Sequence, residues 1–147
     1  MDRGAEVTEL WTFPATWSAL GEAQVAVETY CADAGCPVPI QLKLSLAIDE
    51  LFSNTIKHGY GSETNHLVKV GVEVHAKVIV LYYADQARRY DPLTDPPRPD
   101  FTLPVEDRPV GGLGAHLVRK ISDHSEYERE GDWNRVILHF NLLQQPA

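Results

Sequence analysis

Residues 40–58 read as one helix that is apolar on nearly every side, through Ile40, Leu42, Leu44, Leu46, Ile48, Leu51, Phe52 and Ile56. Such a helix is expected to be central in a fold rather than superficial. Yet it carries Glu50 and Asn54 four residues apart, a spacing that sets two side chains on one helical face. One carboxylate and one amide therefore project together from an apolar wall. Burying an unpaired carboxylate is costly, which favours a site over a chance pair on a solvated face. A base to take a proton and an oxygen to hold a hard cation suit a magnesium–nucleotide site.

Downstream, Gly111-Gly-Leu-Gly-Ala-His116 runs into a second apolar helix predicted over about 114–123. Backbone N–H groups of such a turn can cradle phosphates. A glycine-rich turn alone is more often only a loop. Its position between a proline-rich stretch and a helix start tilts the reading toward phosphate.

The rest of the chain predicts a frame for these two segments. Val7 to Phe13 alternates with Val7, Glu9, Trp11 and Phe13 on one face, an edge strand stopped by Pro14. Helical spacing of Leu20, Ala23, Val27 and Ala34 predicts a helix over 17–34, with Thr16 or Ser18 as N-cap and Gly35 as its stop. Cys36-Pro-Val-Pro39 reads as a rigid link. Two strands follow, around Val68–Val74 and Lys77–Asp85, joined by a short break that implies an antiparallel hairpin. Residues 86–110 hold six of the ten prolines and little periodicity, a long functional loop. Ser125–Glu130 and Arg135–Leu142 read as a closing hairpin around Gly131–Asn134. Helices segregated from antiparallel strands define an α+β fold, a two-layer sandwich with helices on one face of a mainly antiparallel sheet.

A chain of 147 residues fits one domain. Its net charge of −8 argues against a nucleic-acid partner, which usually needs a basic face. No apolar run approaches the roughly 20 residues of a membrane span, and the first residues lack the apolar core of a signal peptide. A cytoplasmic protein with free Cys31 and Cys36 is expected.

Three segments in order resemble the GHKL, or Bergerat-fold, ATPases: LAIDELFSNTIKHGY at 46–60, YYADQARRYDPL at 82–93, and RPVGGLGAHLVRKISD at 108–123. Within them the chain is most similar to the small stand-alone anti-sigma-factor serine kinases of bacteria. The resemblance implies a single ATP-binding domain over 1–147 with a mobile lid at about 86–115. It implies that Glu50 orients or deprotonates the attacking hydroxyl and that Asn54 binds Mg²⁺ between the phosphates. Lys57 and His58 lie one turn on, within reach of phosphate. Asp85 would accept a hydrogen bond from the adenine amino group. Gly111, Gly112, Leu113, Gly114, Ala115 and His116 would form the turn that closes on the triphosphate.

The implied partners are ATP with Mg²⁺, a sigma factor, a STAS-domain antagonist, and a second copy of the chain packed through the sheet. The chain departs from the family pattern at Ala87, where glycine two residues after the adenine acid is expected. A family threonine that helps hold adenine would fall near Asn134 or Arg135 and is also absent. These departures carry the alternative, a binding-only regulatory module that keeps the partner surface without kinase activity. The ATPase half of a sensor histidine kinase is a poorer fit, because no phosphoacceptor-histidine segment is visible.

Overall fold

The computed structural model describes residues 7–93 and 112–142. In chain order these form β1 (Val7–Ala15), α1 (Trp17–Asp33), α2 (Val38–Asn54), β2 (Thr64–Val74), β3 (Val78–Asp85), α3 (Gly112–Ile121), β4 (His124–Glu130) and β5 (Trp133–Asn141). The five strands make one sheet in the order β1-β2-β3-β5-β4, and every neighbouring pair is antiparallel. The architecture is the α+β two-layer arrangement expected, with all pairings antiparallel rather than mixed.

Strand alternation fixes which sheet face is covered. Val68, Val70 and Val72 on β2, Ile79 and Leu81 on β3, and Val136, Leu138 and Phe140 on β5 point to the helices and are buried. They meet Ala19, Ala23 and Val27 of α1 and Ile40, Leu44, Ile48 and Phe52 of α2 in one core.

Local chemistry explains the element ends. Thr16 caps α1, its hydroxyl accepting from the Ala19 N–H at 3.2 Å. The helix closes with Gly35 at φ 81° and with the Cys36 N–H bonded to the Cys31 carbonyl at 2.9 Å, a Schellman arrangement. The last hairpin turns on two residues, Gly131 and Asp132. Gly131 at φ 60° supplies the positive φ that a II′ turn needs at its first position.

Four expectations are corrected. Pro14 does not stop β1, which runs to Ala15 with a register shift after Pro14; on an edge strand the missing N–H costs no ladder bond. Residues 36–39 are not all link, because α2 starts at Val38 with Pro39 in its first turn, where a proline N–H would be unpaired anyway. The turn of the last hairpin is shorter than 131–134, so Asn134 lies inside β5 opposite Asp85. Finally, α2 is not covered on all sides: Val38, Leu42 and Leu46 are exposed.

Candidate functional site

The site forms where α2 ends against β3 and β5. After Asn54 the helix widens into a π-helical turn over Thr55–Gly59, closed by the Tyr60 N–H on the Thr55 carbonyl at 2.8 Å. Turns of this kind are frequent at functional sites. Asn54, Thr55 and Gly59 from this turn line a cavity of about 30 Å³ with Tyr83, Asp85, Ala87, Tyr90 and Asn134. By that measure one water needs about 10–15 Å³, so the cavity is narrow, with room for about two water molecules.

Asp85 is buried and its carboxylate is largely engaged. Oδ1 accepts from the Asn134 side-chain amide at 2.8 Å and from the Ala87 N–H at 3.1 Å. Oδ2 accepts from the Thr55 hydroxyl at 2.7 Å. A carboxylate offers about four acceptor positions, so one remains on Oδ2 for an incoming donor. Thr55 has a single proton. Giving it to the charged carboxylate is the stronger choice, which makes Tyr83 the donor in the 2.5 Å contact between the two hydroxyls. Burial, then the nearby Asp85 charge, holds the Tyr83 phenol well above its ordinary range, so it stays protonated as that role requires.

Asn134 organises the other side. Its amide nitrogen donates to Asp85, to the Ala87 carbonyl at 3.2 Å and to the Arg88 carbonyl at 3.0 Å. Its oxygen accepts from the Tyr127 hydroxyl at 2.6 Å, the Arg129 guanidinium at 3.2 Å and the Tyr90 N–H at 3.3 Å. One side chain thus ties the segment after β3 to β4 and β5.

Ala87 is accommodated without strain, since among the described residues no residue other than glycine has a positive φ. Its methyl packs where Gly59 leaves room: a Cβ added at Gly59 would sit 2.9 Å from the Ala87 Cβ. The space that admits the Ala87 methyl is therefore left by the glycine on the π turn.

The remaining candidates fall around this core. The Asn54 carboxamide has no hydrogen-bond partner among the described residues and lines the cavity, free to offer an oxygen. Glu50 is half-buried one turn earlier on the same helix. Burial first, and then the Asp49 charge, raise its carboxyl above the ordinary glutamate value, and Lys57 pulls it part of the way back. Lys57 is exposed with its ammonium 5.9 Å from the Trp17 ring, and it does not line the cavity. Nor does His58, whose Nε2 is buried without a partner among the described residues. Gly112, Leu113, Gly114, Ala115 and His116 belong to the start of α3, while Gly111 and most of the expected lid lie outside the described residues. Sequence reasoning missed Thr55, Tyr83 and Gly59, and it put Asn134 in the hairpin turn. No group of three His, Cys, Asp or Glu side chains is gathered to hold a metal ion among the described residues, and no helix there is long and apolar enough to cross a membrane.

A five-stranded antiparallel sheet covered by helices, with an asparagine and a buried aspartate opening on one cavity, is the frame of a GHKL-type ATPase. Residues 13–140 match the model of the histidine kinase-like ATPase domain, and the chain belongs to that family. Nucleotide binding, typically with magnesium, is what membership implies. No curated protein matches the chain. Among solved structures it is similar to the RsbU and RsbW domains of Rv1364c from Mycobacterium tuberculosis, at 14% identity and TM-score 0.67, over 96% of this chain and 34% of that one. It is also similar to the histidine kinase AdeS of Acinetobacter baumannii, at 16% identity and TM-score 0.51, over 92% of this chain and 68% of that one. The chain thus spans about a third of the length of the first of these.

Proposed function

We propose that this chain is an anti-sigma regulatory factor that binds ATP, phosphorylates a serine of a STAS-domain antagonist, and controls transcription by partner switching in the cytoplasm. The observation that carries the reading is the convergence of the Asn54 amide, unpartnered among the described residues, and a buried Asp85 carboxylate on one cavity, with Glu50 one turn before Asn54. The RsbW domain among the similar structures supports the choice of partner class.

In this reading the free acceptor position on Asp85 takes the adenine amino group. The Asn54 oxygen holds Mg²⁺, which needs few protein ligands. Bound magnesium ATP supplies the transferable phosphoryl group and leaves as ADP. Glu50 takes the proton of the acceptor hydroxyl; burial raises its carboxyl, which makes it a stronger base than an exposed glutamate. Residues 86–115 act as the lid, and the 111–116 turn clamps the phosphates. A single domain over 1–147 suffices for this, because phosphoryl transfer rests mainly on positioning and charge neutralisation. The homodimer forms through the helix-free sheet face. There the register aligns Leu10, Gly71, Tyr82 and Ile137 beside a depression of about 260 Å³.

The alternative, a binding-only switch, is favoured by one observation: the cavity is narrow, about 30 Å³, with Ala87 buried in its wall. Calorimetric titration with ATP and Mg²⁺, repeated on Asn54→Ala, separates the two. The expected result is magnesium-dependent binding that the variant loses. Absence of binding by the wild type at millimolar ATP overturns the kinase reading in favour of the switch.

A further inference from the structure

Helix α2 is apolar on more sides than the core uses. Ile40, Leu44, Ile48 and Leu51 are buried, but Val38 and Leu42 are each 64% exposed and Leu46 is 38% exposed. These three are spaced by four residues and so form one stripe. Two more steps of the same spacing reach Glu50 and then Asn54. Each step of four also turns by about 40°, so the row winds round the helix, from the exposed Val38 to the half-buried Glu50 and Asn54 at the candidate site. Five of the seven large apolar side chains exposed among the described residues lie on the α1–α2 pair, Trp17 and Val25 being the other two. Single exposed leucines are ordinary, but an aligned run beside polar groups marks an interaction surface.

Charge narrows what can cover it. The Gln24 side chain of α1 donates to the Ser45 carbonyl of α2 at 3.0 Å, which locates the seam between the helices. Glu28 and Asp49 lie one turn beyond these two residues, so carboxylates border the stripe along the seam. The complementary surface is an apolar ridge with basic side chains at its flank. An occupant lying on this track has its next residues at Glu50, where a hydroxyl is to lose its proton.

We propose that Val38, Leu42 and Leu46 are the docking track for the phosphoacceptor protein, which brings an apolar ridge with a basic flank toward the α1–α2 seam and so delivers its serine hydroxyl to Glu50. The inference rests on the kinase reading for the role of Glu50, but docking itself requires no transfer.

The test uses Leu42→Glu/Leu46→Glu, titrated by calorimetry in the presence of ATP and Mg²⁺ with each purified STAS-domain protein of the same genome. Both positions are exposed, so the variant keeps the wild-type melting temperature and ATP affinity; Leu42→Ala/Leu46→Ala serves as a gentler pair. The wild type is expected to bind one of these proteins, the double glutamate variant to bind it roughly a hundredfold more weakly, and Glu50→Gln to bind it normally while transferring no phosphoryl group. Equal binding by wild type and both leucine variants overturns the track, and so does a wild type that binds no STAS-domain protein. A wild-type dimer that becomes monomeric in the variant also overturns it, because the occupant is then a second copy. Leucine-dependent binding combined with transfer that survives Glu50→Gln sinks the kinase reading and leaves the track standing.

Discussion

Replacing Asn134 tests whether one amide holds the base end of the site together. Asn134 is 6% exposed and its side chain makes six hydrogen bonds. Asn134→Ala removes them all, but the damage is uneven. Asp85 keeps Thr55 and the Ala87 N–H, and Arg129 keeps the Ala87 carbonyl at 2.9 Å and the Gly131 carbonyl at 3.1 Å. The Arg88 carbonyl belongs to an exposed residue that water can reach. The main losses are one charge-assisted bond to Asp85 and the partner of the Tyr127 hydroxyl, with a weaker bond from the Tyr90 N–H at 3.3 Å. At about 1–3 kcal/mol for a buried group left unpaired, with partial rescue by water, the sum is roughly 2–4 kcal/mol. For a domain of this size that lowers the melting temperature by about 6–14 °C. Asn134→Asp sharpens the test. It sets a second carboxylate where the amide donated to Asp85 at 2.8 Å, so like charges repel and one of the pair holds a proton more tightly when folded than when unfolded. A folded carboxyl raised in this way costs stability at neutral pH, and the cost shrinks as pH falls. Urea denaturation of the three proteins at pH 7 and pH 5 is the assay. Losses under about 0.5 kcal/mol for Asn134→Ala, or an aspartate variant whose deficit is the same at both pH values, would refute the organising role.

Other expectations follow from the same geometry. If Glu50 is the proton acceptor, the acidic limb of phosphoryl transfer lies above the ordinary glutamate pKa, and Lys57→Met moves it to still higher pH, because Lys57 now opposes the rise; a pH–rate profile reads both. Glu50→Gln raises the melting temperature at pH 7, and this gain fades as pH falls and the wild-type carboxyl is itself neutralised; thermal scans across pH check the trend. Burial, then Cys36, pushes the Cys31 thiol up to about 12, and burial likewise raises Cys36. Neither thiol should then react with a disulfide reagent in the native protein, while both react in denaturant. Gly59→Ala forces a Cβ to 2.9 Å from that of Ala87 and should cost about 1–3 kcal/mol; Ala87→Gly in the same chain should recover most of it, a coupling that a double-mutant cycle measures.

Much of the fold was legible because its signals are local. The caps at Thr16 and Gly35, the helical spacing of α1 and the alternating valines of β2 each rest on residues a few positions apart. What escaped depends on which elements meet. The edge position of β1 was legible, but its reach past Pro14 was not, because an edge strand can carry a proline without losing a ladder bond. The exposure of one face of α2 follows from there being a single helical layer, whereas its composition alone suggested enclosure. Asn134 was readable in hindsight: the alternation of Phe140, Leu138 and Val136 continues inward to position 134. Its partner Asp85 sits directly across the β3–β5 ladder, a pairing fixed only by strand order. Glu50 and Asn54 stood out because polar groups in an apolar helix are conspicuous. Thr55 did not, because a threonine beside them looks like an ordinary helical residue until its hydroxyl is found on Asp85.

The exchange between Gly59 and Ala87 bears on how the departure at position 87 should be weighed. A glycine is needed near a bound base for backbone freedom or for space. Freedom is not the requirement here, since Ala87 has an ordinary φ and its N–H still reaches the Asp85 carboxylate. Space is, and the missing Cβ is supplied from the opposite wall, at Gly59. The contact nonetheless brings the two walls together, and the cavity between them is narrow. In the proposed reading, a base widens it by moving the segment that follows Asp85 away from the π turn. That segment is held by Asn134 through the Ala87 and Arg88 carbonyls and the Tyr90 N–H. The hydrogen bonds that stabilise the closed site are thus the ones nucleotide binding has to rearrange. Ala87→Gly, which thins one wall without touching that clamp, should therefore tighten ATP binding in titration; unchanged or weaker affinity would mean that the walls do not limit access.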